Sequence, residues 1–496
     1  MVETHISWVL LGDEFAYKLK KPVKLPFLDF TTIEARRHFC EEELRLNRRL
    51  APSLYLEVME VREGSDGPCF GGGDGTLVDF AVRMRRFPDG ALWSDMLAAG
   101  ALVPHHVDAL AQRLAGFHRD AAVAPADSRF GIAEVNERIV QRVIDANDEW
   151  AARPGAANAS WPALRAWLVQ QLRILAPCWT NRLREGRVRE CHGDLHLSNV
   201  LQLDGEATAF DGIEFDDELR WIDVLNDAAF LAMDLLAQGR RDLAFRFLNA
   251  YLDETGDHAG LPTLRFYMVY RALVRAQVAA IKEEQGGAMP DPQSNSACYI
   301  ELAVSLSRGV APRLAITHGL PGSGKSFVSQ RMLEATGAIR VRSDVERKRL
   351  FGLSALQSSR EHVPGGIYDG ATTAKTYGVL LDVARIGLQA GWPVIVDAAF
   401  LRRSERAEFA SLAASLGVSF AIVDCRAPLP VLRARIEKRQ ASGGDASEAD
   451  VAVLDRLANA DEALDETERA VAIMDGTSFA DPAAWASRRP PLNQDD

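Results

Sequence analysis

One stretch of the sequence has the residue types and the spacing of a phosphate-binding loop. Residues 319–326 read GLPGSGKS, which fulfils the pattern GxxxxGK[ST]. Glycines at these places let successive backbone N–H groups point at phosphate oxygens. Lys325 is expected to reach the β- and γ-phosphates, and Ser326 to hold a magnesium ion. The predicted nucleotide-binding residues are Gly319, Gly322, Ser323, Gly324, Lys325 and Ser326.

Further residues downstream favour transfer of phosphate to an acceptor over simple hydrolysis. Asp344 and Arg347, in the stretch SDVER, share one turn of a predicted helix. Asp344 is a candidate base for an acceptor hydroxyl, and Arg347 is a candidate partner for the developing charge. Asp397 ends the apolar strand VIVD, which is where a Walker B metal ligand lies. The alternative for Asp344 and Arg347 is an ordinary helix start, where aspartate is favoured anyway.

Arginines in a helix predicted at 430–439 suit a lid that closes over the phosphates. Arg435 and Arg439 are the predicted phosphate-contacting residues, and Arg433 lies on the same helix. An arginine-rich solvated helix has the same pattern. A second group competes for the lid role, made up of Arg402, Arg403 and Arg406.

A second set of polar residues lies in the first half of the chain. Residues 191–199 read CHGDLHLSN, with Asp194 five residues before Asn199, the spacing of a kinase catalytic loop. In such a loop the aspartate accepts the proton of the acceptor hydroxyl and the asparagine holds a metal ion. Asp211 follows twelve residues after Asn199, far enough for a β-hairpin to return it as a second magnesium ligand.

These residues carry a resemblance to a known family. HGDLHLSN, followed by FDGIEFDD and WIDVLNDAAF, resembles the aminoglycoside phosphotransferase superfamily of small-molecule kinases over residues 1–305. The resemblance implies Asp194 as the catalytic base and Asn199 and Asp211 as magnesium ligands. It also implies a structural role for His192 and a bracing role for two acidic residues, Asp223 and Asp227.

The same family has a lysine on an N-lobe strand and a glutamate on the next helix. Lys18 is the predicted contact of the α/β-phosphates, with Lys20 at the same strand parity as its competitor. Glu43 is the predicted ion-pair partner, with Glu42 as the alternative. The sequence lacks GxGxxG before the lysine, and only Gly12 is available. A tight glycine clamp over the nucleotide is therefore not expected.

The second half carries a resemblance of its own. GLPGSGKS, then SDVERKR, VIVDAAF and RARIEKR, resembles the P-loop kinase group that contains the 5′-hydroxyl polynucleotide kinases and zeta toxins. This resemblance covers residues 312–480. It implies transfer of phosphate to a small molecule or to a 5′-hydroxyl nucleic-acid end.

The elements that position these residues fall into two predicted domains. Residues 1–305 show strands, one helix, more strands and a helical lobe, the order of an α+β protein-kinase-like, bilobal fold. Residues 312–496 alternate apolar strands with helices, which predicts an α/β P-loop NTPase with a parallel sheet. The predicted boundary lies near residues 306–312, around the stretch SRGVAPR, and the tail at 488–496 is predicted to be disordered.

Composition limits the function classes. The formal net charge of −12 argues against general coating of nucleic acid. Six cysteines without a CxxC pair fit reduced thiols in the cytoplasm. No signal peptide and no membrane-spanning run is predicted. The sequence thus predicts a cytoplasmic ATP- and Mg²⁺-dependent kinase with two phosphoryl-transfer sites. The alternatives are one live P-loop site beside a substrate-binding or regulatory front domain, and a toxin-related or nucleotide-sensing regulator.

Overall fold

A computed structural model describes residues 1–25, 28–65, 67–71, 75–151, 160–284, 295–359, 362–363, 366–442, 446–474 and Trp485. The contacts divide the chain into two compact units. The first unit contains residues 1–234 and 270–299, and the second contains 235–269 and 300–496. In the part of the chain so described, no helix is long and apolar enough to cross a membrane. The predicted disordered tail at 488–496 lies outside the described residues.

The first unit contains one large antiparallel sheet and three two-stranded ribbons. The strand order in the large sheet is β1-β2-β3-β8-β6-β7, and the ribbons pair β4 with β5, β9 with β12 and β10 with β11. The strands are β1 (Val2–Glu3), β2 (Ser7–Leu11), β3 (Phe15–Lys20), β4 (Lys24–Leu25), β5 (Leu28–Asp29), β6 (Tyr55–Gly64), β7 (Gly67–Phe70), β8 (Thr76–Arg85), β9 (Val188–Glu190), β10 (Val200–Leu203), β11 (Glu206–Ala209) and β12 (Trp221–Asp223).

Ten α-helices lie among the described residues of the first 308 positions. They are α1 (Ile33–Asn47), α2 (Trp93–Ala98), α3 (Pro104–Asp120), α4 (Ala133–Ala151), α5 (Trp161–Arg184), α6 (Asp217–Arg220), α7 (Val224–Ala237), α8 (Arg241–Thr255), α9 (Leu261–Glu284) and α10 (Ser296–Arg308). A sheet with one packed helix, followed by a helical lobe, is the kinase-like fold that the sequence predicts. The prediction for this part of the chain is confirmed.

Local sequence features determine where α1 begins and which of its faces is buried. The Thr32 side chain accepts a hydrogen bond from the Ala35 amide and caps the first turn. Cys40 is buried on the helix face that packs towards the sheet, in a cluster with Phe80 and Val82. The same face carries Glu43, fully buried, and directs its carboxylate inward.

The second unit is built on a five-stranded parallel sheet in the order β14-β15-β13-β16-β17. Its central strands are apolar and buried on both faces, as expected when helices cover a parallel sheet. This confirms the predicted α/β class. The elements are β13 (Arg313–His318), α11 (Lys325–Thr336), β14 (Ile339–Arg342), α12 (Ser343–Arg349), α13 (Gly370–Gln389), β15 (Val394–Asp397), α14 (Arg403–Ser415), β16 (Ser419–Asp424), α15 (Leu429–Ser442), α16 (Val451–Ala458), α17 (Glu466–Val471) and β17 (Ala472–Met474).

The compact units do not divide at the predicted boundary of 306–312. Helix α8 and the first turns of α9 belong to the second unit. The Asn249 side chain donates to the Ala338 carbonyl (3.0 Å) and accepts from the Arg340 amide (2.6 Å), so it binds the backbone at β14. The Trp392 indole donates to the Leu261 carbonyl at 3.1 Å. Buried backbone groups of the P-loop unit are therefore satisfied by chain that precedes the predicted boundary.

We expect Asn249→Ala to destabilise the second unit by about 2–6 kcal/mol, because two buried backbone groups lose their partners at about 1–3 kcal/mol each. Asn249 is 1% exposed, so water does not replace the lost amide. Urea unfolding of the full chain measures the effect. Asn459→Ala is the matched control, since the Asn459 amide only donates to the Asp455 carbonyl on an exposed helix. Equal unfolding midpoints for the two variants would contradict this role of α8.

Candidate functional site

In the first unit, β3 and α1 bring the predicted lysine and glutamate together. Residues 16, 18 and 20 of β3 alternate inward, so both lysines of the strand are buried. The Lys18 ammonium lies 2.8 Å from the Glu43 carboxylate and also pairs with Asp211. Burial opposes the charge of Lys18, but Asp211, Glu43 and Glu214 raise its pKa well above the usual value. Lys18 therefore remains a cation beside the predicted metal ligand.

The competitor lysine is also part of this cluster. Lys20 is fully buried and pairs with both Glu43 and Glu214. Burial raises the pKa of Glu43, but Lys18 and Lys20 outweigh it and lower that pKa to about 2. Glu42, the alternative to Glu43, instead pairs with Arg45 at 2.8 Å on the outer side of α1. The role of Glu214 is not predicted from the sequence, where its only signal is its place in the acidic stretch 211–218.

Removing Lys20 should lower the free energy of unfolding of the first unit. Lys20→Met leaves Glu214 as a buried carboxylate with its direct partner gone, which costs about 3–5 kcal/mol. We expect most of the loss to be recovered in Lys20→Met/Glu214→Leu, because the stranded charge is then removed too. Urea unfolding of the full chain measures both variants. Lys24→Met is the control, since Lys24 is exposed and its unfolding midpoint should match wild type. A double variant no more stable than Lys20→Met would rule out the ion-pair explanation.

The predicted catalytic loop places Asp194 beside Asn199. The Asn199 amide nitrogen donates to the Asp194 carboxylate (3.0 Å) and carbonyl (2.9 Å). His196 Nε2 lies 3.4 Å from the same carboxylate. Burial opposes the charge of Asp194, but His196 and Arg275 lower its pKa below the ordinary value. Asp194 is therefore an ionised carboxylate at neutral pH, as a proton acceptor must be.

Asp227 holds this loop in shape. Its carboxylate accepts hydrogen bonds from the His192 and Gly193 amides, both at 2.9 Å, and lies 3.2 Å from His118 Nε2. Gly193 has φ of 85°, and an added Cβ would lie 2.7 Å from the Leu219 carbonyl oxygen. The loop therefore requires glycine at this position. The bracing role that the resemblance implies for Asp227 matches this geometry.

Asp223 has different contacts. It pairs with the buried Arg182 at 2.6 Å and accepts from the Leu225 amide at 3.0 Å. Its carboxylate thus caps the start of α7 and joins α7 to α5. In this structure the catalytic loop is contacted by Asp227 and by Asp234, which accepts from the Leu197 amide at 2.9 Å. Asp223 supports the helix behind the loop.

Asp211 is returned to the site by the hairpin of β10 and β11, as predicted. Its φ is 63°, an unusual conformation for a residue with a side chain, and its amide donates to the Tyr55 hydroxyl at 3.1 Å. Strained backbone of this kind is often found at functional sites. Asn199 uses its amide nitrogen on Asp194, which leaves its Oδ1 available. A carboxylate and an amide oxygen suit Mg²⁺, so Asp211 and Asn199 fit a magnesium ion.

The turn between β2 and β3 lacks the features of a phosphate clamp. It contains Gly12, Asp13 and Glu14, all exposed, and the Gly12 amide donates to the Phe15 carbonyl at 2.8 Å. Two carboxylates at this tip repel phosphate. Nucleotide binding in the first unit would therefore depend on Lys18 and on a metal ion at Asp211.

The acidic stretch after Asp211 lines a cavity of about 990 Å³ with the carboxylates of Glu214, Asp216, Asp217 and Glu218. Three of its carboxylates are already paired: Glu214 with Lys20, Asp217 with Arg220, and Glu218 with Arg138 at 2.6 Å. These ion pairs give structural roles to three of the acidic residues in the stretch. The stretch consequently gives no support for a polycationic acceptor.

In the second unit, the predicted phosphate-binding loop joins β13 to α11. Gly319 (φ 139°) lies so close to Cys425 that an added Cβ would be 2.2 Å from its carbonyl oxygen. At Gly322 (φ 80°) an added Cβ would be 2.9 Å from the Leu432 carbonyl oxygen. Gly324 has φ of 98° and precedes the first helical residue. The glycines are thus required by backbone shape and close packing.

The side chains of the loop fit a bound triphosphate. The Lys325 ammonium donates to the Leu320 carbonyl at 2.9 Å, and burial lowers its pKa. The Ser323 hydroxyl is buried and has no hydrogen-bond partner among the described residues. A buried hydroxyl without a partner is a group that the oxygen of a bound phosphate would satisfy.

Asp397 ends β15 as predicted and is 5% exposed. It accepts a hydrogen bond from Ser329 at 3.1 Å, and Arg342 lies 3.9 Å away. Ser326, the other predicted magnesium ligand, is exposed in the first turn of α11. Both residues offer the oxygen atoms that Mg²⁺ prefers, so this pair also fits the ion.

Asp344 and Arg347 share helix α12, and both contact Tyr368. The Tyr368 hydroxyl lies 3.4 Å from the Asp344 carboxylate, and the Arg347 guanidinium lies 5.1 Å from the centre of its ring. Arg347 is 6% exposed and donates to the Ile367 carbonyl and to Thr373, both at 3.1 Å. The contacts of Tyr368 with these two residues are not predicted from the sequence, because nothing in its local pattern indicates them.

One predicted lid arginine contacts the loop directly. Arg435 donates to the Gly322 carbonyl at 3.1 Å, while Arg439 donates to the Ala449 carbonyl at 2.7 Å. Arg433 pairs with Asp455 on the exposed side of α15. Of the competing group, Arg406 is buried and paired with Glu468 at 2.7 Å. Helix α15 therefore supplies the predicted lid arginine that contacts the phosphate-binding loop.

A strand, a glycine loop and a helix around Lys325, with an acidic strand end beside them, define the P-loop class of nucleotide-binding folds. A family model described as an AAA domain matches residues 314–464 of this chain. The recognition of a P-loop domain in the second half is confirmed.

The whole chain belongs to a family with a mycobacterial member. It is 31% identical over 446 residues to the Mycobacterium tuberculosis protein named "Uncharacterized protein Rv2004c", covering 90% of this chain and 87% of that protein. The Mycobacterium bovis protein named "Uncharacterized protein Mb2027c" matches with the same identity and coverage. The match includes both halves, so the combination of the two folds is shared within the family.

Three solved structures of kinases align with parts of the chain. An ethanolamine kinase from Plasmodium vivax aligns with TM-score 0.35 and 10% identity, covering 59% of this chain and 74% of its own. A choline/ethanolamine kinase family protein from Mesorhizobium loti aligns with TM-score 0.36 and 12% identity, covering 62% and 86%. A gluconokinase from Sinorhizobium meliloti 1021 aligns with TM-score 0.24 and 20% identity, covering 36% and 88%.

Proposed function

We propose that this chain is an ATP- and Mg²⁺-dependent phosphotransferase with two phosphoryl-transfer sites. The observation that carries the proposal is that each unit holds a cation, a candidate base and oxygen ligands for a metal. In the first unit these are Lys18, Asp194, and the pair Asn199 and Asp211. In the second they are Lys325, Asp344, and the pair Ser326 and Asp397.

The first site would transfer the γ-phosphate to the hydroxyl of a small molecule. Asp194 accepts the hydroxyl proton as the oxygen attacks phosphorus and the bond to ADP breaks. Magnesium, when bound, neutralises the phosphate oxygens. Lys18 exchanges its contact with Asp211 for the α/β-phosphates, while Glu43 keeps the lysine in place.

The second site would phosphorylate a small molecule or a 5′-hydroxyl nucleic-acid end. Loop amides and Lys325 bind the triphosphate, Arg435 lies over the loop, and Asp344 faces the acceptor. A net charge of −12 favours a small acceptor or a short strand end over a long polyanion.

A second candidate is a single active P-loop site with a front unit that binds substrate or regulates. The acidic turn at Asp13 and Glu14 favours it, because it offers no amide cradle to phosphate. Transfer of γ-labelled phosphate from ATP to pooled sugars, aminoglycosides and 5′-hydroxyl oligonucleotides tests both candidates. The two-site proposal expects labelled products that depend separately on Asp194 and on Lys325. Products that all depend on Lys325 alone would favour the single-site candidate.

A further inference from the structure

Tyr368 lies at the centre of a hydrogen-bond chain beside the second site. Its hydroxyl donates to the Asp344 carboxylate at 3.4 Å and accepts from the Glu448 amide at 3.2 Å. A phenol has one proton to donate, and the amide can only donate to it. The Glu448 amide therefore directs the phenolic proton towards Asp344.

The ring of Tyr368 supports the other predicted catalytic residue. The Arg347 guanidinium stacks on it at 5.1 Å, a cation–π contact. Arg347 is also held by the Ile367 carbonyl and by Thr373, each at 3.1 Å. One side chain thus sets the direction of the carboxylate and the plane of the guanidinium.

The partner of Tyr368 is itself firmly anchored. The Glu448 carboxylate lies 3.0 Å from the ammonium of Lys348, which is 1% exposed, and accepts from the Ser359 amide at 2.8 Å. The next residue, Ala449, accepts a hydrogen bond from Arg439 of helix α15 at 2.7 Å. The segment 446–449 therefore contacts the lid helix and, through Tyr368, the predicted base.

We propose that Tyr368 is a positioning residue of the second site, which holds Asp344 and Arg347 in the orientation that the acceptor requires. Segment 446–449 joins this pair to helix α15 through the Glu448 amide and the Ala449 carbonyl. The inference rests on the proposed phosphotransferase function of the P-loop unit and adds a residue that acts through Asp344.

The test is Tyr368→Phe in the full chain, which keeps the ring and the cation–π contact and removes the hydroxyl. All proteins carry Asp194→Asn, so that the first site does not contribute. Phosphate release from MgATP, with water as acceptor, should fall by up to about 100-fold, the cost of misplacing a reacting group. The KM for MgATP should stay at the starting value, because the hydroxyl does not contact the nucleotide loop. The melting temperature should fall no further than in Tyr377→Phe, whose hydroxyl likewise accepts from a backbone amide.

A double variant separates positioning from general structure. If Tyr368 acts through Asp344, Asp344→Asn/Tyr368→Phe is no slower than Asp344→Asn alone. Tyr377→Phe is the matched control, since its hydroxyl also accepts a backbone amide, that of Phe400 at 3.0 Å. The control should retain turnover. The proposal would be overturned if the double variant lost turnover by the product of the two single losses. It would also be overturned if Tyr368→Phe kept the starting turnover.

Failure of the proposed function gives a different result. In that case phosphate release in the starting protein is no greater than in Lys325→Ala. The test then compares the affinities of the starting protein and of Tyr368→Phe for MgADP with fluoroaluminate, measured by calorimetry. Weaker affinity in Tyr368→Phe, with unchanged affinity for MgADP alone, supports the positioning role. Equal fluoroaluminate affinities of the two proteins overturn it.

Discussion

Lys325→Ala is expected to reduce P-loop turnover of MgATP by about 10²–10³-fold, the usual cost of losing one preorganised donor to the transferring phosphate. Lys325 is the one lysine of the loop, and its ammonium lies 2.9 Å from the Leu320 carbonyl. A bound triphosphate would exchange that contact for the β- and γ-oxygens. Alanine leaves the loop backbone intact, because the loop shape depends on its glycines.

Calorimetric titration with MgATP and a steady-state ATPase assay measure this effect. Lys375→Ala is the matched control, since Lys375 is an exposed lysine on α13 of the same unit. Melting temperatures of both variants should stay close to wild type. Wild-type nucleotide affinity and turnover in Lys325→Ala would mean that the P-loop is not the main nucleotide site.

The second large effect concerns the first unit. In the Lys325→Ala background we expect residual magnesium-dependent transfer or slow hydrolysis of ATP. Asp194→Asn should then reduce it by about 10²–10⁴-fold, the range for loss of a positioned base. The substitution keeps the size of the side chain and removes its ability to accept the acceptor proton. Nucleotide affinity should change little, because the base contacts the acceptor.

Asp204→Asn in the same background is the control, since Asp204 is exposed and pairs with Arg85 at a hairpin tip. Residual activity that survives Asp194→Asn would show that the base lies elsewhere. A magnesium- and ATP-dependent rise in melting temperature should also persist in Lys325→Ala and be lost in Lys325→Ala/Lys18→Ala. Its absence would favour a front unit that binds substrate without phosphoryl transfer.

Local sequence determined the elements that carry the candidate sites. Glycine spacing in GLPGSGKS predicts the loop between β13 and α11, because only glycine adopts those positive φ angles in such close packing. Strand parity placed Lys18 and Lys20 on one face, and the separation of twelve positions from Asn199 to Asp211 allowed the hairpin return. These features follow from short-range sterics and hydrogen bonding, which residue type alone largely decides.

Only the tertiary structure decided which distant side chains meet. Glu214 binds Lys20 across 194 positions, and Asn249 binds β14 from a helix that sequence patterning assigned to the other domain. Tyr368 reaches Asp344 because the chain beside it contacts α12, where Arg347 donates to the Ile367 carbonyl. Periodicity shows that a helix has a buried face, but the partner of that face depends on packing between elements. Sequence thus determined the loops and the chemistry of the residues, and packing determined their partners.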